Sequence, residues 1–309
     1  MSTLLVTHPA CLDHLTPMGH PERPDRLRAI ERVLEAERFQ TLARAQAPAA
    51  SDETIALCHP RDYIEQIRDA TPKQGLRQLD ADTSMSPGSF EAALRGVGGA
   101  VHAVDEVMNG KAHNAFVAVR PPGHHAETAV PMGFCLFNNA AIAARYAQDS
   151  FGLERAAVID FDVHHGNGSQ EIFWSDRTVM YCSTHQMPLY PGTGSASERG
   201  EHDNIVNAPL RPGDGGEQFR QAFETVILPR LRDFQPDFIV ISAGFDAHVR
   251  DPLANLNLVE ADFDWATRKI MEIADARASG RVVSLLEGGY DLQGLANSAA
   301  AHVSALMQG

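Results

Sequence analysis

Cysteine is scarce in this sequence, and long uninterrupted apolar runs are absent. Only four cysteines occur in 309 residues (Cys11, Cys58, Cys135 and Cys182), with no CxxC among them. That spacing supports neither a disulfide framework nor a thiolate zinc site and fits reduced thiols. No apolar stretch reaches the roughly 20 residues that cross a bilayer. The N-terminus, Met1-Ser2-Thr3-Leu4-Leu5-Val6-Thr7-His8, lacks the basic start and apolar core of a secretion signal. Positive charge is also short, with 26 Lys and Arg against 40 Asp and Glu and a formal net charge of −14. This balance argues against nucleic acid as a partner and steers cationic substrates only weakly. No Pro/Gly/Ser-rich linker and no internal repeat divides the chain. The expectation is a cytoplasmic protein forming one domain, residues 1–309, without a membrane or nucleic-acid partner. Its 44% hydrophobic and 21% charged residues allow a sizeable core.

What is present is a rhythm of short apolar runs and helical patterns. Leu4-Leu5-Val6 reads as a first strand, followed by a loop through His8, Cys11, His14, His20 and Pro21-Glu22-Arg23-Pro24. The irregular histidine spacing favours a structural loop over a ligand set. Pro24 suits a first helical turn, and Leu27, Ile30, Val33 and Leu34 continue at helical spacing. Ala45 to Ser51 reads as a small-residue connector, Asp52 to Ala70 as partly helical, and Thr71 to Pro87 as a polar surface loop. Phe90 to Met108 is helical, although Gly96, Gly98 and Gly99 then call for a close backbone approach, and Asn109-Gly110 ends it. Strands are predicted at 115–119, 156–159, 179–182, 238–241 and 282–286, and helices at 139–148, 219–234 and 260–278, the last of them. The alternation predicts an α/β protein, a three-layer α/β/α arrangement around a single, mostly parallel sheet. Ligands in such sheets bind beyond the carboxyl ends of the strands. Here the polar, Gly-rich segments bearing His and Asp directly follow the apolar runs.

The richest such segment is Asp160-Phe161-Asp162-Val163-His164-His165-Gly166-Asn167-Gly168. On an extended backbone Asp160, Asp162 and His164 share one face, and Gly166 and Gly168 permit a sharp turn. Two carboxylates and an imidazole at a strand end suggest a metal site; a polar strand end with capping aspartates is the plainer alternative. Asp246, in Ser242-Ala243-Gly244-Phe245-Asp246, can complete a three-ligand set with Asp162 and His164. Three protein ligands leave a coordination position open, as in catalytic rather than structural zinc. Iron(II) is compatible with the same donors. His124 and His125 supply adjacent imidazoles, whose ordinary pKa of about 6.5 suits proton transfer at neutral pH. Asp160 and Asn167 are candidate partners for their remaining ring nitrogens. An Asp partner favours a cationic imidazole, whereas a neutral Asn leaves its histidine easier to deprotonate. Tyr290, after Gly288 and Gly289, is a candidate donor to an oxyanion.

Jointly, RPPGHHAE (120–127), GFCLFNN (133–139), DFDVHHGNG (160–168), SAGFDAH (242–248) and EGGY (287–290) make the chain resemble the histone deacetylase family. The similarity runs from His20 to Tyr290, and Asn167 and Glu287 point to the class II-like bacterial members. The resemblance implies the arginase–deacetylase fold and zinc on Asp162, His164 and Asp246. It implies His125 as general base and acid with Asn167 behind it, and His124, paired with Asp160, as an electrostatic stabiliser. Tyr290 would polarise the scissile carbonyl, and the Gly133 carbonyl would accept the substrate amide N–H. Phe134 and Tyr190 would wall an acyl-lysine tunnel, Tyr190 standing where the family usually has Phe. A structural potassium ion near the Asp160–His164 loop and Ser183 is implied as well. The substrate so implied is an acylated lysine in a peptide or protein, or a small acylated amine.

Other functions compete with this one. Polyamine-selective relatives carry a Glu gatekeeper after the Asp-Pro that follows the third ligand. Here Asp251-Pro252 is followed by Leu253, which lacks the charge to hold a distant ammonium, although an acidic rim could substitute. A non-catalytic acyl-lysine-binding module would be expected to have lost Tyr290, His125 or a ligand, and all are present. An arginase-like dimanganese hydrolase would need further carboxylate and His ligands, a pattern that His124 and Asn167 do not match. Acyl length, oligomeric state and the role of Thr83 to Pro87 have no motif to read them from.

Overall fold

The computed structural model describes residues 2–309. Strands β1 (Thr3–Thr7) and β2 (Ala43–Gln46) come first, then a short pair, β3 (Arg77–Gln78) and β4 (Ser84–Met85). They are followed by β5 (Asn114–Val117), β6 (Ala156–Asp160), β7 (Val179–Gln186), β8 (Ile205–Leu210), β9 (Phe238–Ala243) and β10 (Val282–Leu286). All except the short antiparallel pair join one eight-stranded sheet in the order β2-β1-β5-β10-β9-β6-β7-β8, every pairing parallel. Helices Ser89–Met108 and Asn139–Phe151 pack together and against the sheet; Asp25–Val33, Glu260–Arg277 and Leu292–Leu306 form a second group. This is the expected three-layer α/β/α architecture.

Burial explains which strands the sequence reveals. Every residue of β5, β6, β9 and β10 is buried, so these strands read as largely apolar runs. The two edges do not. β2, Ala-Arg-Ala-Gln, alternates half-buried and exposed residues, so the expected connector begins inside an edge strand. β8 carries Asn207 and an exposed Pro209, a residue tolerated at a sheet edge because its missing N–H breaks no ladder there.

Three further expectations are corrected. Thr71 to Pro87 is not wholly a surface loop: Thr83, Ser84, Met85 and Ser86 are buried. The predicted helix 219–234 is interrupted by a π-helical turn at Phe223–Ile227, a widening that accommodates Pro229, which has no N–H to return to the preceding turn. The helix ending at Arg277 is not the last, because Leu292–Leu306 follows, capped by Asp291 accepting the Gly294 N–H at 2.7 Å. The glycines of Ser89–Met108 do mark a close approach, since a Cβ on Gly98 would lie 2.8 Å from the Ala50 nitrogen. Among the described residues, no helix is long and apolar enough to cross a membrane.

The centre of the sheet positions the site. Asp160 is in register with Ser242 and Ala243 with Leu286, so the loops leaving β6, β9 and β10 lie side by side at the carboxyl end.

Candidate active site

Beyond β6 the chain does not stay extended. Asp160 Oδ1 accepts the Asp162 N–H at 3.0 Å, and Asp162 Oδ1 accepts the His164 N–H at 2.9 Å. These successive Asx turns curl the loop. Asp160 therefore faces His124 and Tyr181, whereas Asp162 and His164 face each other and Asp246. The shared strand face expected from alternation is not how they meet. Gly166 does centre a tight turn, with φ −77° and ψ 71° and the Asn167 N–H donating to the His165 carbonyl at 2.9 Å, although neither it nor Gly168 has a positive φ. They permit contact: a Cβ at Gly166 would lie 2.6 Å from Tyr181 Oη, and one at Gly168 2.7 Å from the His125 carbonyl carbon.

Asp162, His164 and Asp246 each bring a ligand atom within 4.8 Å of the others, and all three are buried. His164 Nδ1 lies 3.2 Å from Asp162 Oδ1 and 3.0 Å from Asp246 Oδ2. The other carboxylate oxygens are oriented by backbone donors, Gly288 N–H to Asp162 Oδ2 at 2.7 Å and Val163 N–H to Asp246 Oδ1 at 2.9 Å. A Cβ on Gly288 would sit 2.6 Å from Asp162 Oδ2, so only glycine brings this backbone close enough. Among the described residues both carboxylates are ion-paired only with histidines. Buried carboxylates this close require a positive partner. Burial pulls the His164 imidazole down, yet Asp162 and Asp246 push it up to about 10. Two oriented carboxylates and one imidazole at a place that so favours positive charge fit a divalent ion.

His124 and His125, with ring centroids 4.0 Å apart, are driven in opposite directions. His124 Nδ1 lies 2.9 Å from Asp160 Oδ2, and Glu287 Oε2 accepts the backbone N–H groups of Gly123 and His124 at 2.7 and 3.2 Å. Burial disfavours its charge, but Asp160, Asp162 and Glu287 outweigh that and hold its pKa well above the ordinary value. His125 Nδ1 instead meets Asn167 Oδ1 at 2.8 Å. Burial first, then repulsion from His124 and His164, holds its pKa well below the ordinary value. One ring thus favours its positive form and its neighbour the neutral form.

His125, His164 and Tyr290 open onto a cavity of about 230 Å³ whose walls include Gly133, Phe134, Tyr190 and Leu253. Phe134 has φ 70°, a left-handed conformation that a non-glycine residue adopts at a cost of about 1–3 kcal/mol. Its N–H is held by Thr83 Oγ1 at 3.1 Å, and its ring meets Tyr290 edge-on at 5.9 Å. Tyr190 stands perpendicular to His125 at 5.2 Å and is 39% exposed at the opening. The Gly133 carbonyl already accepts the Cys135 S–H at 3.3 Å, which leaves its second lone pair. Asp82 also lines the cavity; it had no sequence signal, lying in the polar stretch read as loop.

Tyr290 is held from two sides. Its N–H donates to Asp251 Oδ2 at 2.7 Å, and the Arg26 guanidinium lies 4.9 Å from its ring centroid. Arg26 also donates to the Gly289 and Glu287 carbonyls at 2.6 and 2.5 Å. Burial holds the Tyr290 hydroxyl well above its ordinary pKa; Arg26 opposes this, and Asp246 and Asp162 add to it. The hydroxyl therefore stays a donor.

Arg26 is in turn anchored by Glu22, which sequence reading passed over as loop. Fully buried, Glu22 accepts from Arg26 Nη1 at 3.0 Å and from Arg120 Nη2 at 2.6 Å. The available signal was Arg120, an arginine directly after a buried strand, which needs an acid. Glu22→Leu should strand both guanidinium groups in the interior and destabilise the fold by about 3–5 kcal/mol in denaturant unfolding. A loss under about 1 kcal/mol would contradict this. Burial opposes ionisation of Glu22, but Arg120, His14 and Arg26 hold its carboxyl well below the usual 4.5. Its stabilisation is therefore fully present above pH 4.5 and is lost as pH falls through the lower folded-state pKa.

Residues 20–306 match the family model described as Histone deacetylase domain. The chain is 40% identical over 278 residues to the histone deacetylase-like amidohydrolase of Pseudomonas aeruginosa, covering 88% of this chain and 73% of that protein. It is 39% identical over 303 residues to a probable deacetylase of Archaeoglobus fulgidus, covering 95% and 83% respectively. The crystal structure of the HDA15 HD domain matches with a TM-score of 0.94 at 34% identity, over 99% of this chain and 88% of that one. The chain belongs to the histone deacetylase family and has its arginase–deacetylase fold. It is a hydrolase of amide bonds, of the deacetylase or amidohydrolase kind.

Proposed function

We propose that this protein is a zinc-dependent deacetylase that removes acetyl or other acyl groups from N-acyl-lysine or a similar acylated amine. The chain would form one catalytic domain and act in the cytoplasm. The observation that carries the reading is that His164 of the candidate ligand set, His125 and Tyr290 all line one cavity. Asp162, His164 and Asp246 would hold the ion, and iron(II) would fit the same donors. When bound, zinc would polarise the amide carbonyl and acidify the attacking water.

The chain's own residues would do the rest. His125 would take the water's proton and return it to the amine as the C–N bond breaks. His124 would keep its positive charge beside the developing anion, and Tyr290 would donate its O–H to the carbonyl oxygen. The Gly133 carbonyl would accept the amide N–H, while Phe134 and Tyr190 would enclose the acyl-lysine stem and exclude water. A potassium ion near Asp160–His164 and Ser183 rests on the family resemblance.

A second reading, acetylpolyamine hydrolysis, draws support from Asp82 at the cavity and its neighbour Asp80, an acidic rim. We favour acyl-lysine because Leu253, on the wall, cannot pair with a second ammonium. Kinetics on acyl-lysine peptides, acylated polyamines and free acyl-amino acids test this. The expected result is a preference for acetyl-lysine over acetylspermidine that Leu253→Glu shifts toward the polyamine. A parent protein that prefers acetylspermidine by more than about tenfold, roughly 1.4 kcal/mol, would reverse the assignment.

A further inference from the structure

Asn167 partners His125, and the two ends of an amide select opposite imidazole tautomers. The far end of the amide decides which is present. Asn167 Nδ2 donates to Glu127 Oε1 at 2.8 Å and lies 3.2 Å from Met132 Sδ. An ionised carboxylate can only accept, so the NH₂ end must face Glu127 and the oxygen must face His125 Nδ1, 2.8 Å away. That oxygen also only accepts. The proton of neutral His125 is thereby confined to Nδ1, and Nε2 keeps the lone pair that a base needs.

We infer that Glu127 is a positioning residue that sets the tautomer of His125 through Asn167. The inference rests on the proposed role of His125 as base. Glu127 suits the task because it follows the two histidines by two residues and sits in a tight turn, its N–H donating to the Val130 carbonyl at 3.1 Å. It is partly exposed, so its distant charge is screened by solvent and its effect is orientational. The charged groups around His125 (His124, His164 and Asp162) are not touched by changing Glu127.

Two variants separate orientation from charge. Glu127→Gln keeps an acceptor for the amide. Glu127→Ala removes it, and the amide can then rotate to offer Nδ2 to His125, which selects the Nε2–H tautomer. Glu127→Ala should lower kcat about tenfold to a hundredfold, with KM within about twofold and unchanged metal content. Glu127→Gln should stay within about threefold of the parent. In ¹⁵N-histidine-labelled, metal-loaded protein, the His125 signals, assigned by their loss in His125→Ala, should show a protonated Nδ1 in parent and Gln variant. The Ala variant should gain the Nε2-protonated form. An unchanged tautomer in Glu127→Ala, or a Gln variant as slow as the Ala variant, overturns the inference. Parental turnover in His125→Ala would instead defeat the proposed role of His125, and the tautomer spectra would still decide the link to Glu127.

Discussion

Removing metal with a chelator should abolish amide hydrolysis, and about one equivalent of zinc per chain should restore it. The stoichiometry follows from the donor set. Asp162, His164 and Asp246 form the one cluster of metal-ligating groups found among the described residues. The neighbouring acids are committed elsewhere, Asp160 to His124 and Tyr181, Glu287 to the Gly123 and His124 backbone, and Asp251 to the Tyr290 backbone. Activity should follow occupancy in a titration monitored by elemental analysis. Two tightly held ions per active chain, or full turnover after complete metal removal, would refute the mononuclear site.

Tyr290→Phe should lower kcat by about 10²–10³. As water adds to the amide, its carbonyl oxygen becomes anionic and a metal ion offsets only part of that charge. The Tyr290 hydroxyl is protonated at neutral pH, because burial and nearby carboxylates hold its pKa high. Phe keeps the ring that packs against Phe134 and beneath Arg26, so folding and metal content should change little. KM should change less than kcat, since the donor matters most to the transition state. A fully metallated Tyr290→Phe variant within about threefold of the parent would remove Tyr290 from the chemistry.

The candidate metal-ligating and histidine motifs were legible because parallel strands buried on both faces are mostly apolar, so the chemistry at their carboxyl ends begins abruptly. Asp160, Asp162 and His164 stand out after Ala156–Ile159 for that reason, and Tyr290 after Val282–Leu286. Edge strands lacked that contrast: β2 alternates and β8 contains Pro209. Glu22, Arg26 and Asp251 were not legible as parts of the site. Each is an ordinary charged residue until its partner is known. Those partners lie far along the chain, Glu22 bonding Arg120 across 98 positions and Arg26 bonding Gly289 across 263.

By itself, then, the sequence determined the residue types and their placement at strand ends, and hence the family, the parallel α/β architecture and the three candidate ligands. Local chemistry is written locally, in hydrophobic runs and short motifs. The tertiary structure alone decided how those residues are arranged and what surrounds each of them. The order β10-β9-β6 brings Asp246 and Gly288 to the Asp162–His164 loop. Burial and neighbouring charges then push the His124 pKa well up and the His125 pKa well down, although the two are adjacent and chemically identical. Titration depends on the field and the solvent exclusion at a point in space, and the groups producing them here lie tens to hundreds of residues apart in sequence.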